Sequence, residues 1–343
     1  MDGLLETLLP PRTLENMGAG ASKVSSGSVS VKLPTGAMIE TTPTTDEAFA
    51  SLTTGEVFGW LSSSPKIGSD CKASLDKHFP GSLPGSAVTR KVGSILYDKY
   101  GCVAKNTLYG QSICSDEINN EKGDLADLMK EYWGEVFPLG GIGGAPFVGK
   151  TGFMAFSHHV PDDGNVLILF GPHVGVTEAG EVGKYHRIGQ KGNSTSCGAV
   201  IAAYQQCCGT TEMPFDMDDM QQSWLRQYIG TGRVPDAAST TAAHASPRAS
   251  PPSAGPKAQY CKSCDEPIKA ATDVAYDCIK EKLLRIVNTK FGSGKLILVG
   301  GIQINLPKPY EDHFQPKFFQ VLGEGCAPVD LLPELAPPAP KKD

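Results

Sequence analysis

The chain has 343 residues, of which 40% are hydrophobic and 20% charged, and its formal net charge is −6. That length and apolar content suffice for a substantial core, while the acidic balance, without a stripe of Lys and Arg, excludes a nucleic-acid partner. The longest apolar runs, Val166 to Phe170 and Leu296 to Ile304, fall far short of the roughly 20 residues that cross a bilayer, so no membrane span is expected.

The first twenty residues carry Asp2 and Glu6 and lack the basic start and apolar core of a secretory signal. The ten cysteines therefore read as reduced thiols or metal ligands rather than disulfides. Residues 1–48, rich in Ser, Thr and Gly, are expected to form a flexible arm. Residues 49–233 are expected to form the main part of a folded domain, 234–259 a low-complexity linker or insertion, 260–330 a helix and strand that complete the domain, and 331–343 a flexible tail.

Val88, Val92, Ile95 and Leu96 recur at helical spacing, with Gly101 placed to end the helix. Leu108 to Ile113 reads as a short strand, followed by a helix with Leu125, Leu128, Met129, Tyr132 and Trp133 on one face. Gly144 to Thr151 matches the P-loop expression letter for letter, but Pro138-Leu139-Gly140-Gly141 precedes it and Gly152-Phe153 follows. It reads as a glycine-rich turn leading into a strand, on which His158 and His159 would point to opposite faces. Asn165 to Phe170 has the unbroken apolar character of a strand buried on both faces. Gly198 to Cys208 is Ala-rich and helical in pattern; Ile268, Ala271, Ala275, Cys278 and Ile279 trace another helical face; Lys295 to Leu306 reads as a strand bulged at Gly300-Gly301. This succession predicts an α/β fold in three layers with a mostly parallel central sheet flanked by helices.

Cys114 follows one strand and His173 lies three residues beyond another, so both fall where open parallel sheets place functional groups. Cys197 precedes a helical run, and a helix N-terminus favours the thiolate that metals bind. Two thiolates and an imidazole suit zinc and leave a fourth position open, as catalytic zinc sites do. On the residues alone, two small buried hydrophobes and a hydrogen-bonded core histidine account for the same positions. Cys261-Lys262-Ser263-Cys264 with Cys207-Cys208 is an incomplete four-cysteine signature and reads as free thiols.

Five segments in order, Cys114 to Glu117, Phe147 to Phe153, Gly171-Pro172-His173, Gly183 to Arg187 and Ser196-Cys197-Gly198, resemble the algal low-CO2-inducible B and C proteins, also called theta-class carbonic anhydrases. The resemblance covers roughly Phe49 to Leu322 and implies a fold and Cys, His, Cys zinc ligands like those of the beta-class enzymes. Carried over, it places Zn2+ on Cys114, His173 and Cys197, and assigns Asp116 as the carboxylate beside the metal with Arg187 as its partner. The chain departs from the family pattern at Ser115, where many relatives carry Arg. The implied activity is reversible hydration of CO2 to bicarbonate by zinc-bound hydroxide, with His186 a candidate proton shuttle because an ordinary imidazole titrates near 6.5. A homodimer in a CO2-concentrating system, in the chloroplast, is also implied. The alternatives are a non-catalytic zinc-stabilised scaffold of such a system and, remotely, a P-loop-like nucleotide-binding protein.

Overall fold

The structure is a computed structural model that describes residues 29–32, 38–41, 66–207, 214–231 and 266–335. The chain divides into two compact units, residues 1–49 and 50–343. In the first, β1 (Val29–Lys32) pairs antiparallel with β2 (Met38–Thr41), so part of the expected arm is a hairpin; its remainder, the linker 234–259 and both cysteines of the CxxC lie outside the described residues.

The second unit opens with α1 (Ser69–His78), β3 (Leu83–Pro84) and α2 (Gly85–Tyr100). Gly101 ends α2 in the left-handed conformation, at φ 62°, as its position in the sequence predicts. Then come β4 (Thr107–Ser112), α3 (Leu125–Trp133), β5 (Val136–Pro138), α4 (Gly149–Ser157), β6 (Asn165–Phe170), β7 (His173–Gly175), β8 (Lys184–Tyr185), β9 (Ser194–Thr195) and α5 (Gly198–Cys207). The chain continues through α6 (Met220–Thr231), α7 (Pro267–Ile286), β10 (Leu296–Asn305), β11 (His313–Leu322), β12 (Val329–Asp330) and α8 (Leu332–Leu335).

The main sheet runs β12-β11-β10-β6-β4-β5, with β3 on β11 and β7 on β10. Its centre, β5, β4, β6 and β10, is parallel, and β11 and β12 extend it antiparallel. Strands covered on both faces need apolar side chains on both, and all six residues of β6 and all ten of β10 are buried. Val166, Ile168 and Phe170 face one core with α1, α4 and α7; Leu167 and Leu169 face the other with α2 and α3. Each fully buried side chain of this size contributes about 1.5–3 kcal/mol. The result is the three-layer α/β architecture expected.

Three local readings differ from the structure. Phe147 to Phe153 leads into helix α4 rather than a strand, because Phe153 and Phe156, three apart, bury on one helical face. His158 and His159 consequently sit exposed at its C-terminal end rather than on a strand, with the His159 ring 6.0 Å from that of Phe137 in β5. Residues 331–335, expected to belong to a flexible tail, instead hold Leu331 and Leu335 buried against the second core, and the rest of that expected tail lies outside the described residues.

Close backbone approach sets the middle of the sheet. β10 pairs with β6 through Gly300 and with β7 from Gln303, while its register with β11 slips between Gly300 and Gly301. A Cβ at Gly171, where φ is 146°, would lie 1.8 Å from the Gly301 carbonyl oxygen. A Cβ at Gly300 would lie 2.1 Å from the Phe170 ring, which is stacked on Tyr276 at 6.2 Å between centroids. Gly300→Ala is therefore expected to lower the unfolding free energy by about 1–3 kcal/mol, measured by chemical denaturation.

His313 opens β11 within reach of Ser82 Oγ at 3.4 Å, and burial, helped by Lys72, holds its pKa down at about 4 against an ordinary 6.5. The unfolded chain thus binds more protons between those values, so stability present above pH 6.5 is lost as pH falls toward 4. His313→Gln should flatten this loss by about 1–2 kcal/mol between pH 7 and pH 5 in urea titrations.

Candidate metal centre

Parallel strands β4 and β6 end side by side, with Ser112 opposite Phe170, and the chain leaving each carries a ligand candidate to the same edge. Cys114 lies two residues beyond β4, His173 opens β7, and Cys197 directly precedes α5. Their ligand atoms all lie within 4.8 Å of one another, and the three residues are 4%, 1% and 2% exposed, respectively. The two sulfurs are 3.7 Å apart. Val200, Ala203, Leu225, Ile229, Ala271 and Ala275, from α5, α6 and α7, pack around the two cysteines and keep this edge dry.

Each donor is prepared differently. Gly143 N–H donates to Cys114 Sγ at 3.1 Å. The hydrogen bond from Cys197, with smaller help from His173, brings the Cys114 thiol down to about 4 against the effect of burial. That same hydrogen bond, together with burial, pushes Cys197 well above the ordinary thiol range. Metal ligation requires both thiols deprotonated, so a divalent cation would displace any proton shared between the two sulfurs.

His173 Nδ1 is 2.7 Å from Asn305 Oδ1, whereas Nε2 is buried without a hydrogen-bond partner. Leaving such an atom unsatisfied costs about 1–3 kcal/mol, and a metal ion is the partner that two thiols and an imidazole fit. Residues and metal therefore agree: the set is soft, compact and buried, as zinc requires.

Asp116 and Arg187 adjoin the donors. Asp116 Oδ2 is 3.6 Å from His173 Nε2, and Arg187 Nη2 donates to Oδ1 and Oδ2 of Asp116 at 3.0 and 2.8 Å. Burial raises the Asp116 carboxyl, while His173 and Arg187 pull it back down. Arg187 is itself braced: Nε donates to Glu117 Oε1 at 2.8 Å, and Nη1 to the Thr195 carbonyl at 3.0 Å and to Ser194 Oγ. His186, beside it in the chain, is exposed and makes no side-chain hydrogen bond or ion pair among the described residues.

The glycine-rich segment before α4 serves this edge. Gly144 stands so close to the Gly171 carbonyl that a Cβ would come within 2.4 Å, Ser112 Oγ donates to the Gly144 carbonyl at 2.9 Å, and Ser115 N–H donates to Gly141 at 3.2 Å. A helix does open at Gly149 as in a P-loop, but the run ahead of it is pinned against Cys114 and Gly171. Cys207 Sγ donates to the Arg226 carbonyl at 3.1 Å, away from the Cys114 group.

The residues that the sequence reading left out are Asn305, Asp312 and Asn119. Asn305 Nδ2 donates to Asp312 Oδ2 at 2.7 Å and to Asn119 Oδ1 at 3.3 Å, and Leu306 N–H donates to Asp312 Oδ1 at 2.8 Å. Burial raises the Asp312 carboxyl to about 6, opposed by Lys308. Lys308 binds Asp124 at 2.7 Å and Glu121 at 3.2 Å. The available signal was a polar residue ending an otherwise apolar strand, which reads equally as a strand terminus.

A family model described as limiting CO2-inducible proteins B/C, beta carbonic anhydrases, matches residues 82–242 and 255–323. Its interruption falls within the low-complexity stretch 234–259. A solved histidine-to-alanine variant of PtLCIB4, a homolog of the limiting CO2-inducible protein LCIB, is 26% identical with a TM-score of 0.65, covering 77% of this chain and 100% of its own. PtLCIB4 itself is 27% identical with a TM-score of 0.62, covering 76% and 98%. The structure of LCIB, 19% identical with a TM-score of 0.51 and coverage of 76% and 98%, shares the fold. Among curated proteins no similar sequence was found. With the family model spanning well over half of its length and the ligand candidates of Cys, His and Cys gathered at one sheet edge, the chain belongs to the limiting CO2-inducible protein B/C family of beta-carbonic-anhydrase-like proteins.

Proposed function

We propose that this protein is a zinc-dependent carbonic anhydrase that reversibly hydrates CO2 to bicarbonate and a proton. The observation that carries the reading is the buried His173 Nε2, without a hydrogen-bond partner, among two cysteine sulfurs and beside an arginine-held carboxylate. Cys114, His173 and Cys197 would hold the zinc, which when bound lowers the pKa of water to about 7 and polarises oxygen as a Lewis acid.

The chain supplies the rest. The apolar wall from α5, α6 and α7 accepts a small apolar substrate and excludes bulk water, which strengthens electrostatic interactions at the site. Asp116 offers an acceptor oxygen 3.6 Å from His173 Nε2 and can orient a water by taking its hydrogen bond. Arg187 fixes that carboxylate through both oxygens and opposes the upward pull of burial on its pKa. His186, exposed next to Arg187 in the chain, would pass the product proton to buffer. Pairing of two chains, implied by the resemblance, belongs to the same proposal.

The ligand set is tested by metal analysis of protein purified under reducing conditions. One zinc per chain is expected, and Cys114→Ser or Cys197→Ser should abolish tight binding because a neutral hydroxyl replaces a thiolate. Full occupancy in either variant would remove that cysteine from the site.

The chemistry is tested by steady-state CO2 hydration on zinc-verified wild type, Asp116→Ala, Arg187→Ala and the double variant. Asp116→Ala should slow hydration roughly 10 to 100 fold while zinc stays bound, with a related loss for Arg187→Ala. Because both act through one ion pair, the double variant should be little worse than the poorer single. Zinc-loaded wild type without hydration activity would instead identify a scaffold.

A further inference from the structure

Three polar side chains buried behind His173 form a chain of hydrogen bonds whose direction can be worked out from one end. Asp312, 1% exposed, accepts from Leu306 N–H on Oδ1 at 2.8 Å and faces Asn305 with Oδ2 at 2.7 Å. A carboxylate can only accept, so the Asn305 amide must turn its nitrogen toward Asp312. Its other donor position is taken by Asn119 Oδ1, whose own nitrogen donates to the carbonyls of Cys114 and Asp116 at 3.3 Å each. Asn305 Oδ1 is left facing His173 Nδ1 at 2.7 Å and requires a proton there. An imidazole with its proton on Nδ1 presents a lone pair at Nε2, the atom that has no partner.

We infer that Asn305 and Asp312 are positioning residues that fix the tautomer of His173, so that Nε2 is a ready metal ligand before any metal arrives. This rests on the zinc reading above only for its consequence in affinity; the tautomer itself is a property of the metal-free protein. Asn305 is the last residue of β10 and Asp312 lies in the connection to β11, so the turn between these two strands controls a ligand on the neighbouring β7. Asn119 extends the control to the Cys114 loop.

The hydrogen-bond directions dictate the effect of an isosteric change. In Asp312→Asn the new amide must keep its oxygen on Leu306 N–H, which turns its nitrogen toward Asn305. Asn305 then presents oxygen to residue 312 and nitrogen to His173, giving up its longer 3.3 Å donation to Asn119 Oδ1, and the imidazole proton is driven to Nε2, where it opposes metal binding. Exchanging the two residues, Asn305→Asp with Asp312→Asn, restores the acceptor at His173 Nδ1 and the hydrogen bond between positions 305 and 312 with the total charge unchanged, and gives up the 3.3 Å donation to Asn119 Oδ1.

The experiment uses the full chain with nitrogen-15-labelled histidine, the His173 signals being assigned by their loss in His173→Gln. Metal-free, reduced wild type should show the proton on Nδ1; Asp312→Asn should show it on Nε2; the exchanged double variant should return it to Nδ1. In chelator competition with zinc, Asp312→Asn should bind roughly 10 to 100 fold more weakly and the double variant within about 3-fold of wild type. Retention of the Nδ1 proton in Asp312→Asn, or a double variant no better than the single, overturns the inference. If Asp312→Asn does not fold, the wild-type tautomer decides, and a proton found on Nε2 of His173 in the metal-free protein overturns the inference. A wild type that shows the expected tautomer yet takes up no zinc would overturn the zinc reading and leave the positioning assignment standing.

Discussion

A fully buried imidazole with one nitrogen tied and the other left bare is the constraint around which this molecule is organised. His173 is 1% exposed, held through Nδ1, and bare at Nε2 among two sulfurs. Such an arrangement costs free energy in the empty protein, and the cost has to be borne by packing elsewhere. The surrounding apolar sheet supplies it: β6 and β10 are buried along their whole length, and His173 follows β6 by only three residues. A site of this kind cannot sit on a loop that relaxes, because relaxation would let Nε2 find water.

Glycine makes the required proximity possible. The step from β6 to β7 passes so close to β10 that neither Gly171 nor Gly301 has room for a side chain, and Gly144 closes on Gly171 from the other side. These contacts bring the turn before α4 against Cys114, where Gly143 directs its N–H at the sulfur. Backbone amides pointing at an anion are how P-loops hold phosphate, and here one points at a thiol whose pKa is already low. The P-loop expression at Gly144 to Thr151 thus begins one residue after the glycine whose N–H meets the sulfur, and its own first glycine serves close approach to the Gly171 carbonyl rather than to a phosphate.

Much of the fold was legible because its elements are strongly patterned. Asn165 to Phe170 and Leu296 to Ile304 could only be buried strands, and the helix ending at Gly101 carried its own stop signal. The ligand candidates were legible in part: strand ends put Cys114 and His173 on one edge and a helix start marks Cys197, but the family resemblance, not the residues alone, chose metal ligands over buried core side chains. What stayed hidden depended on contacts distant in sequence. The segment around Gly149 was misread because its glycines suggest a turn, whereas burial of Phe153 and Phe156 against the sheet overrides that local preference. β11 was obscured by Pro316 and Lys317, which fall where its register with β10 slips. Asn305 lies 132 residues from His173 in the chain, and no local pattern records that pairing.

Charge distribution separates the two faces of the site. On the solvent side Arg187 gathers Asp116, Glu117, Ser194 and Thr195, and Glu117 is 73% exposed, so its pairing is weak and easily exchanged with water. On the inner side the partners are Asn305, Asn119 and Asp312, all nearly inaccessible, and there hydrogen-bond direction rather than net charge carries the information. The two faces thus do different physical work on the same few atoms. The inner network sets which His173 nitrogen is available, which governs what can bind. The outer pair sets how the Asp116 carboxylate is held, which governs what can happen to a molecule once bound. Since Asp116 reaches Arg187 through both oxygens while His173 lies 3.6 Å away, a change on the outer face can alter chemistry without disturbing the donors. That separation allows one sheet edge to keep a rigid metal centre next to a carboxylate that the protein holds by a single guanidinium.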